Sequence, residues 1–164
     1  MVEVDVAMVK LEAEVKVPMA PIVILREKKK GTKRLLPIYV GIFEALAIIM
    51  ELENATVQRP MTHDLLKSVI DNLGAKVVSV FVSDLKEGTF YAEITLDIGN
   101  GEVVKIDSRP SDAMALALRA DVPIYVSEKV MAEASISPES MKLDDEEGLK
   151  NVLENLNPGD LYKV

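Results

Sequence analysis

Reactive side chains in this 164-residue chain gather at two helix starts. One reads Arg59-Pro60-Met61-Thr62-His63-Asp64-Leu65-Leu66; the other, 50 residues on, reads Arg109-Pro110-Ser111-Asp112-Ala113-Met114, with Asp107 just upstream. Both run arginine–proline, a hydroxyl residue, an aspartate and then a helical pattern. Proline sets the entry, Thr62 or Ser111 can cap free amides, and Asp64 and Asp112 complement the helix dipole. If the two starts meet, with Glu44 beside them, they supply carboxylates for a hard cation and two guanidinium forks for phosphate. His63 is the chain's single imidazole and the one candidate for a neutral-pH general base. Such groups suit metal-assisted phosphodiester hydrolysis, in which metal ions activate water and neutralise developing charge.

Each group also has a structural reading. Asp64 and Asp112 can simply stabilise helix N-termini. Arg59 and Arg109 can pair with acids such as Asp107 and pin the helices to a sheet. His63 can be a surface residue, and the methionines at 50, 61, 114 and 131 read as core filler. Glu44 is hardest to dismiss, because a carboxylate in a nearly all-apolar helix needs a partner or a use.

The elements that must position these residues follow from periodicity. Val2, Val4 and Val6 alternate with Glu3 and Asp5, a strand with one polar face. Residues 22–25 and 34–40 predict a hairpin around the charged turn at Lys28–Thr32, and a greasy helix runs from Gly41 to about Glu53. Thr62–Leu73 is amphipathic, with Leu65, Leu66, Val69, Ile70 and Leu73 on one side, and Gly74 ends it. Strands at 76–84, 90–97 and 102–107 form a meander with turns at Gly88 and Gly99–Gly101. A second apolar helix spans about 110–120, followed by a short strand at 123–126 and a short helix at 128–134. The interleaving lacks a regular β-α-β rhythm, so the expected class is α+β with a mixed or antiparallel sheet. One domain is expected over 1–135. An acidic tail, 136–164, carries an amphipathic helix with Leu149, Val152, Leu153 and Leu156.

Composition bounds the partners. Nineteen basic against 27 acidic residues leave a net charge of −8, so the average field repels polyanions. Only the segment from Arg26 to Arg34 is locally basic. Cysteine is absent, which excludes disulfides, thiolate zinc sites and a cysteine nucleophile. No apolar run is long enough for a membrane helix, and the first residues do not resemble a signal peptide, so a cytoplasmic address is expected. A single Gln, no Cys and abundant Glu and Lys point to a thermophile source. Two helices, near 42–52 and 113–120, are apolar around most of their circumference. They predict a homo-oligomer, most simply a dimer.

The string at 59–66, the stretch Asp107-Ser108-Arg109-Pro110-Ser111-Asp112-Ala113-Met114-Ala115-Leu116-Ala117-Leu118-Arg119, the junction Leu36-Pro37-Ile38-Tyr39-Val40-Gly41-Ile42-Phe43-Glu44-Ala45 and the run Gly88-Thr89-Phe90-Tyr91-Ala92 together resemble the bifunctional nuclease domain family. The resemblance spans about residues 1–135. It implies an α+β domain with metal-dependent nuclease activity on DNA and RNA. Carried over by motif, the candidate set is Glu44, Arg59, His63, Asp64, Asp107, Arg109 and Asp112. In the catalytic reading Glu44, Asp64, Asp107 and Asp112 hold Mg²⁺ or Mn²⁺, Arg59 and Arg109 hold phosphate, and His63 moves a proton. The expected substrate is single-stranded DNA or RNA. The alternative is a non-catalytic homo-oligomeric binding or regulatory module whose arginine–aspartate pairs are structural.

Overall fold

A computed structural model describes residues 1–10, 21–31 and 34–140. The expected tail helix, and Thr32 and Lys33 of the basic turn, lie outside the described residues. Seven strands form one mixed sheet: β1 (Val2–Lys10), β2 (Ile22–Glu27), β3 (Leu35–Tyr39), β4 (Lys76–Lys86), β5 (Thr89–Gly99), β6 (Glu102–Ser108) and β7 (Ile124–Val126). Their order is β3-β2-β1-β7-β4-β5-β6. Helices α1 (Ile42–Leu52), α2 (Thr62–Asn72), α3 (Pro110–Ala120) and α4 (Glu128–Ala134) complete the α+β domain. None of them is long and apolar enough to cross a membrane.

Two antiparallel blocks, β3-β2-β1 and β4-β5-β6, are joined by β7. This three-residue strand pairs antiparallel with β1 and parallel with β4, so the sheet depends on a segment just after α3. The meander turns behave as their residues demand. Glu87 and Gly88 both take positive φ (51° and 76°), the two-residue turn whose twist matches a hairpin.

Alternation along the strands sets the core. Val80, Val82, Ala92, Ile94 and Leu96 point to the helices and join Met114, Leu116, Ile48 and Met131 in one apolar cluster. Ile22, Ile24 and Leu35 face the other way, forming a small second cluster with Met8 and Ile136.

The apolar helices do not expose what their sequences suggest. Helix α3 is buried from Pro110 to Ala117 apart from Asp112, packed by the sheet, α1 and α2. It has no apolar face left for a second subunit. Helix α2 is the reverse. Of its residues only His63 is fully buried, while Leu65, Leu66, Val69 and Leu73 are exposed. Its apolar stripe faces outward, because the helix docks through His63, Lys67 and Ile70 instead.

Candidate functional site

Three helices begin in the same way. Each carries an acid at its third residue: Glu44 in α1, Asp64 in α2 and Asp112 in α3. Free amides and the positive end of the dipole favour a carboxylate there. The N-caps are Gly41, Met61 and Arg109, and none caps through its own side-chain oxygen. Thr62 and Ser111 therefore lie inside the first turns rather than capping them, and in α2 the capping role passes to the acid. Asp64 shows it directly, since its Oδ2 accepts from the Met61 amide at 2.8 Å.

The acids of α1 and α3 meet at one guanidinium. Arg109 donates through Nε to Asp112 Oδ2 at 2.8 Å and through Nη2 to Glu44 Oε1 at 2.7 Å. The Asp112 and Glu44 carboxylates hold the Arg109 guanidinium above its ordinary pKa, Asp112 most strongly. Its Nη1 has no hydrogen bond among the described residues, and the side chain is 67% exposed. The other Asp112 oxygen meets His63 Nε2 at 3.0 Å. With Nε2 donating to that carboxylate, the His63 lone pair sits on Nδ1. Glu44 takes this position because of Gly41: a Cβ at residue 41 would lie 2.2 Å from Glu44 Oε2. Here glycine is needed for space rather than for φ, which is an ordinary −72°.

Asp64 goes elsewhere. Its Oδ1 accepts from Arg119 Nε at 2.5 Å, and Arg119 Nη1 donates to the carbonyls of Ala47 (3.1 Å) and Ala115 (2.9 Å). Burial pushes the Asp64 carboxyl up, but the Met61 amide and Arg119 outweigh it and hold the group below the usual carboxylate range. Arg119 thus joins α1, α2 and α3 from a side chain only 5% exposed. Sequence reading passed over it, because an arginine in a last turn reads as a dipole partner. The available signal was the one that singled out Glu44, a charge in a nearly all-apolar helix.

Two candidates stay outside the cluster. Arg59 is exposed in the α1–α2 loop, without a hydrogen bond or ion pair among the described residues. Asp107 pairs across the sheet with Glu93, in alternation with Ile106, which pairs with core Ile94, so it lies on the face away from the helices. The basic turn is also remote, at the far end of β3 from Tyr39 and Gly41. Three of its cations are engaged: Arg26 with Asp5, Lys28 with Glu3, and Arg34 with Glu27 and Glu128.

A cleft of about 430 Å³ opens over the cluster, with Phe43, Glu44, Met50, His63, Arg109 and Asp112 in its walls. Among the described residues no three His, Asp or Glu side chains are grouped to enclose a metal ion. Glu44 and Asp112 bring two carboxylates to the cleft, both bonded to Arg109. Mg²⁺ is commonly held by one or two carboxylates and completed by water and substrate phosphate.

A sequence profile described as the bifunctional nuclease domain matches residues 23–139. The chain belongs to the bifunctional nuclease domain family. An uncharacterized protein of Mycobacterium tuberculosis is 38% identical over 149 residues, covering 85% of this chain and 87% of its own. Bifunctional nuclease 1 of Arabidopsis thaliana is 32% identical over 109 residues, 65% of this chain and 33% of the plant protein. Bifunctional nuclease 2 of the same plant is 33% identical over 106 residues, 63% and 32% of the two chains. Within this bifunctional nuclease domain, the matched region contains the whole Arg109 cluster and Arg119.

Proposed function

We propose that the chain is a nuclease that hydrolyses phosphodiester bonds of single-stranded DNA or RNA in the cleft over Arg109. The observation that carries this reading is one exposed guanidinium with an unused Nη1, held by two carboxylates beside the single imidazole. Nη1 binds a phosphate oxygen, and the Glu44 and Asp112 contacts aim the fork. His63, oriented by Asp112, takes a proton from the attacking water. Glu44 and Asp112 would hold Mg²⁺ or Mn²⁺, which would supply charge neutralisation and a more acidic water. The names of the plant relatives support the activity; the two carboxylates support the metal.

Labelled single-stranded DNA and RNA, digested with protein from two expression hosts, test the reading. Cleavage should need Mg²⁺ or Mn²⁺, stop with chelator, fall steeply with salt and vanish in Arg109→Ala. Equal cleavage by parent and variant, or none by either, contradicts it. One observation favours the alternative of a non-catalytic module: two bonds of Arg109 already satisfy acids of its own chain. A parent inactive with both metals leaves that reading in place.

We also propose self-association through α2 rather than α3. A two-fold axis across α2 lets Leu65, Leu66, Val69 and Leu73 of two copies cover one another, as an isologous contact requires. Light scattering should give a dimer for the parent and a monomer for Leu73→Asp. A monomeric parent at all micromolar concentrations ends this proposal.

A further inference from the structure

The chain has only seven phenylalanines and tyrosines and no tryptophan, and three of the seven gather around Arg109. Phe43 stands in the wall of the 430 Å³ cleft. Tyr39 and Phe90 line a second hollow of about 380 Å³ on the other side, floored by Gly41 and Gly88. Arg109 belongs to the walls of both hollows, so this residue is a ridge they share. Tyr39 is 64% exposed and Phe43 78%. Tyr39 ends the edge strand β3, and Phe43 occupies the first turn of α1, two residues either side of Gly41.

We propose that Tyr39 and Phe43 are base-stacking platforms, and that a single strand crosses the Arg109 ridge with one base on each ring. The inference rests on the reading that Arg109 binds a phosphate, and it names what distinguishes the substrate. Successive bases of a single strand can splay outward and stack on aromatic rings, and any base will serve because each has a π face. Bases held in a duplex cannot reach rings on both sides of the ridge. At the centre one guanidinium, flanked by the Glu44 and Asp112 carboxylates, meets the phosphate. In an acidic protein with a remote, ion-paired basic turn, the rings supply the affinity that a basic groove would otherwise give.

Fluorescence anisotropy with a labelled oligothymidylate of about 12 nucleotides tests this, in Ca²⁺ and in chelator, with turnover monitored separately in Mg²⁺ and Mn²⁺. Both rings are exposed, so Tyr39→Ala and Phe43→Ala should leave the thermal melt unchanged. Each should weaken binding about tenfold, within the range of a lost base–ring stack, and Phe43→Tyr should keep parental affinity. An abasic strand of equal length should bind the parent as weakly as the thymidylate binds the double alanine variant, and a duplex should bind no better than the abasic strand. Alanine variants that bind like the parent overturn the proposal. So does an abasic strand that binds as tightly as the thymidylate, or a parent that binds no oligonucleotide. Ring-dependent binding without cleavage supports the platforms and removes only the nuclease reading. Arg109-dependent cleavage with KM unchanged in the alanine variants removes only the platforms.

Discussion

Arg119 in the last turn of α3 and Arg109 at its N-cap each grip the carboxylate of a helix's third residue, yet their surroundings differ. Arg119 is almost sealed, and its donors reach Asp64 and two backbone carbonyls within the helical layer. Arg109 is two-thirds exposed, has no hydrogen bond at Nη1 among the described residues and stands in the walls of two hollows. A buried guanidinium whose removal would strand a carboxylate is held in place by stability. An exposed one in a similar pairing adds little stability, so the proposed phosphate contact is what its position would serve. The two residues at the start of α2 divide accordingly. Asp64 anchors the helix to Arg119, and that anchor places His63 against Asp112.

Breaking the buried side of this comparison should have the largest effect. Arg119→Met leaves Asp64 unpaired and should lower unfolding free energy by about 3 kcal/mol, the low end for a broken buried pair, given that Asp64 is partly exposed. Urea unfolding with the midpoint and slope fitted separately measures it; a change under about 1 kcal/mol would show that Arg119 does not hold the layer together. Gly41→Ala acts on the exposed side. The new methyl must displace the flexible Glu44 carboxylate, so stability should change by less than about 1 kcal/mol while cleavage drops to the level of Glu44→Gln. Unchanged cleavage would mean that Glu44 does not aim Arg109.

The acid limb gives a smaller, directional effect. The Asp64 carboxyl has its pKa lowered in the folded protein, so the folded state favours the ionised form. The resulting stability is fully present above the ordinary carboxylate pKa of about 3.9 and is lost as pH falls through the lower folded value. Melts taken downward from about pH 5 should therefore show a steeper loss in the parent than in Asp64→Asn, which lacks this group. Parallel curves would show that Asp64 gains nothing from its partners.

Much of this architecture is legible in the residues. The alternation in β1, the paired turns of the β4-β5-β6 meander and the starts of α2 and α3 at Thr62 and Pro110 follow local rules, and the structure has them. The likeness between the two Arg-Pro segments is only partly carried into space. Arg109 is an N-cap three residues before Asp112, whereas Arg59 precedes Asp64 by five and lies in a loop, so only one of them reaches the cluster. Asp107 was lost by one step of strand alternation, a matter of which face the sheet turns to the helices. β7, which joins the two halves of the sheet, is too short for its pairing to be read from three residues. The outward stripe of α2 could not be read either, because periodicity shows that a helix has an apolar side and not what covers it. Gly41 was hidden differently, since its role is the space it leaves for Glu44.

The central claim is that one end of α3 is built for binding and the other for stability. Its most direct test is a paired measurement of thermal melting and single-strand cleavage in the parent, Arg109→Ala and Arg119→Met. The account predicts that Arg109→Ala melts within about 1 kcal/mol of the parent and loses cleavage. Arg119→Met should melt well below the parent and, at a temperature where it stays folded, keep measurable cleavage. Full cleavage in a well-folded Arg109→Ala, or equal destabilisation by the two substitutions, would contradict it.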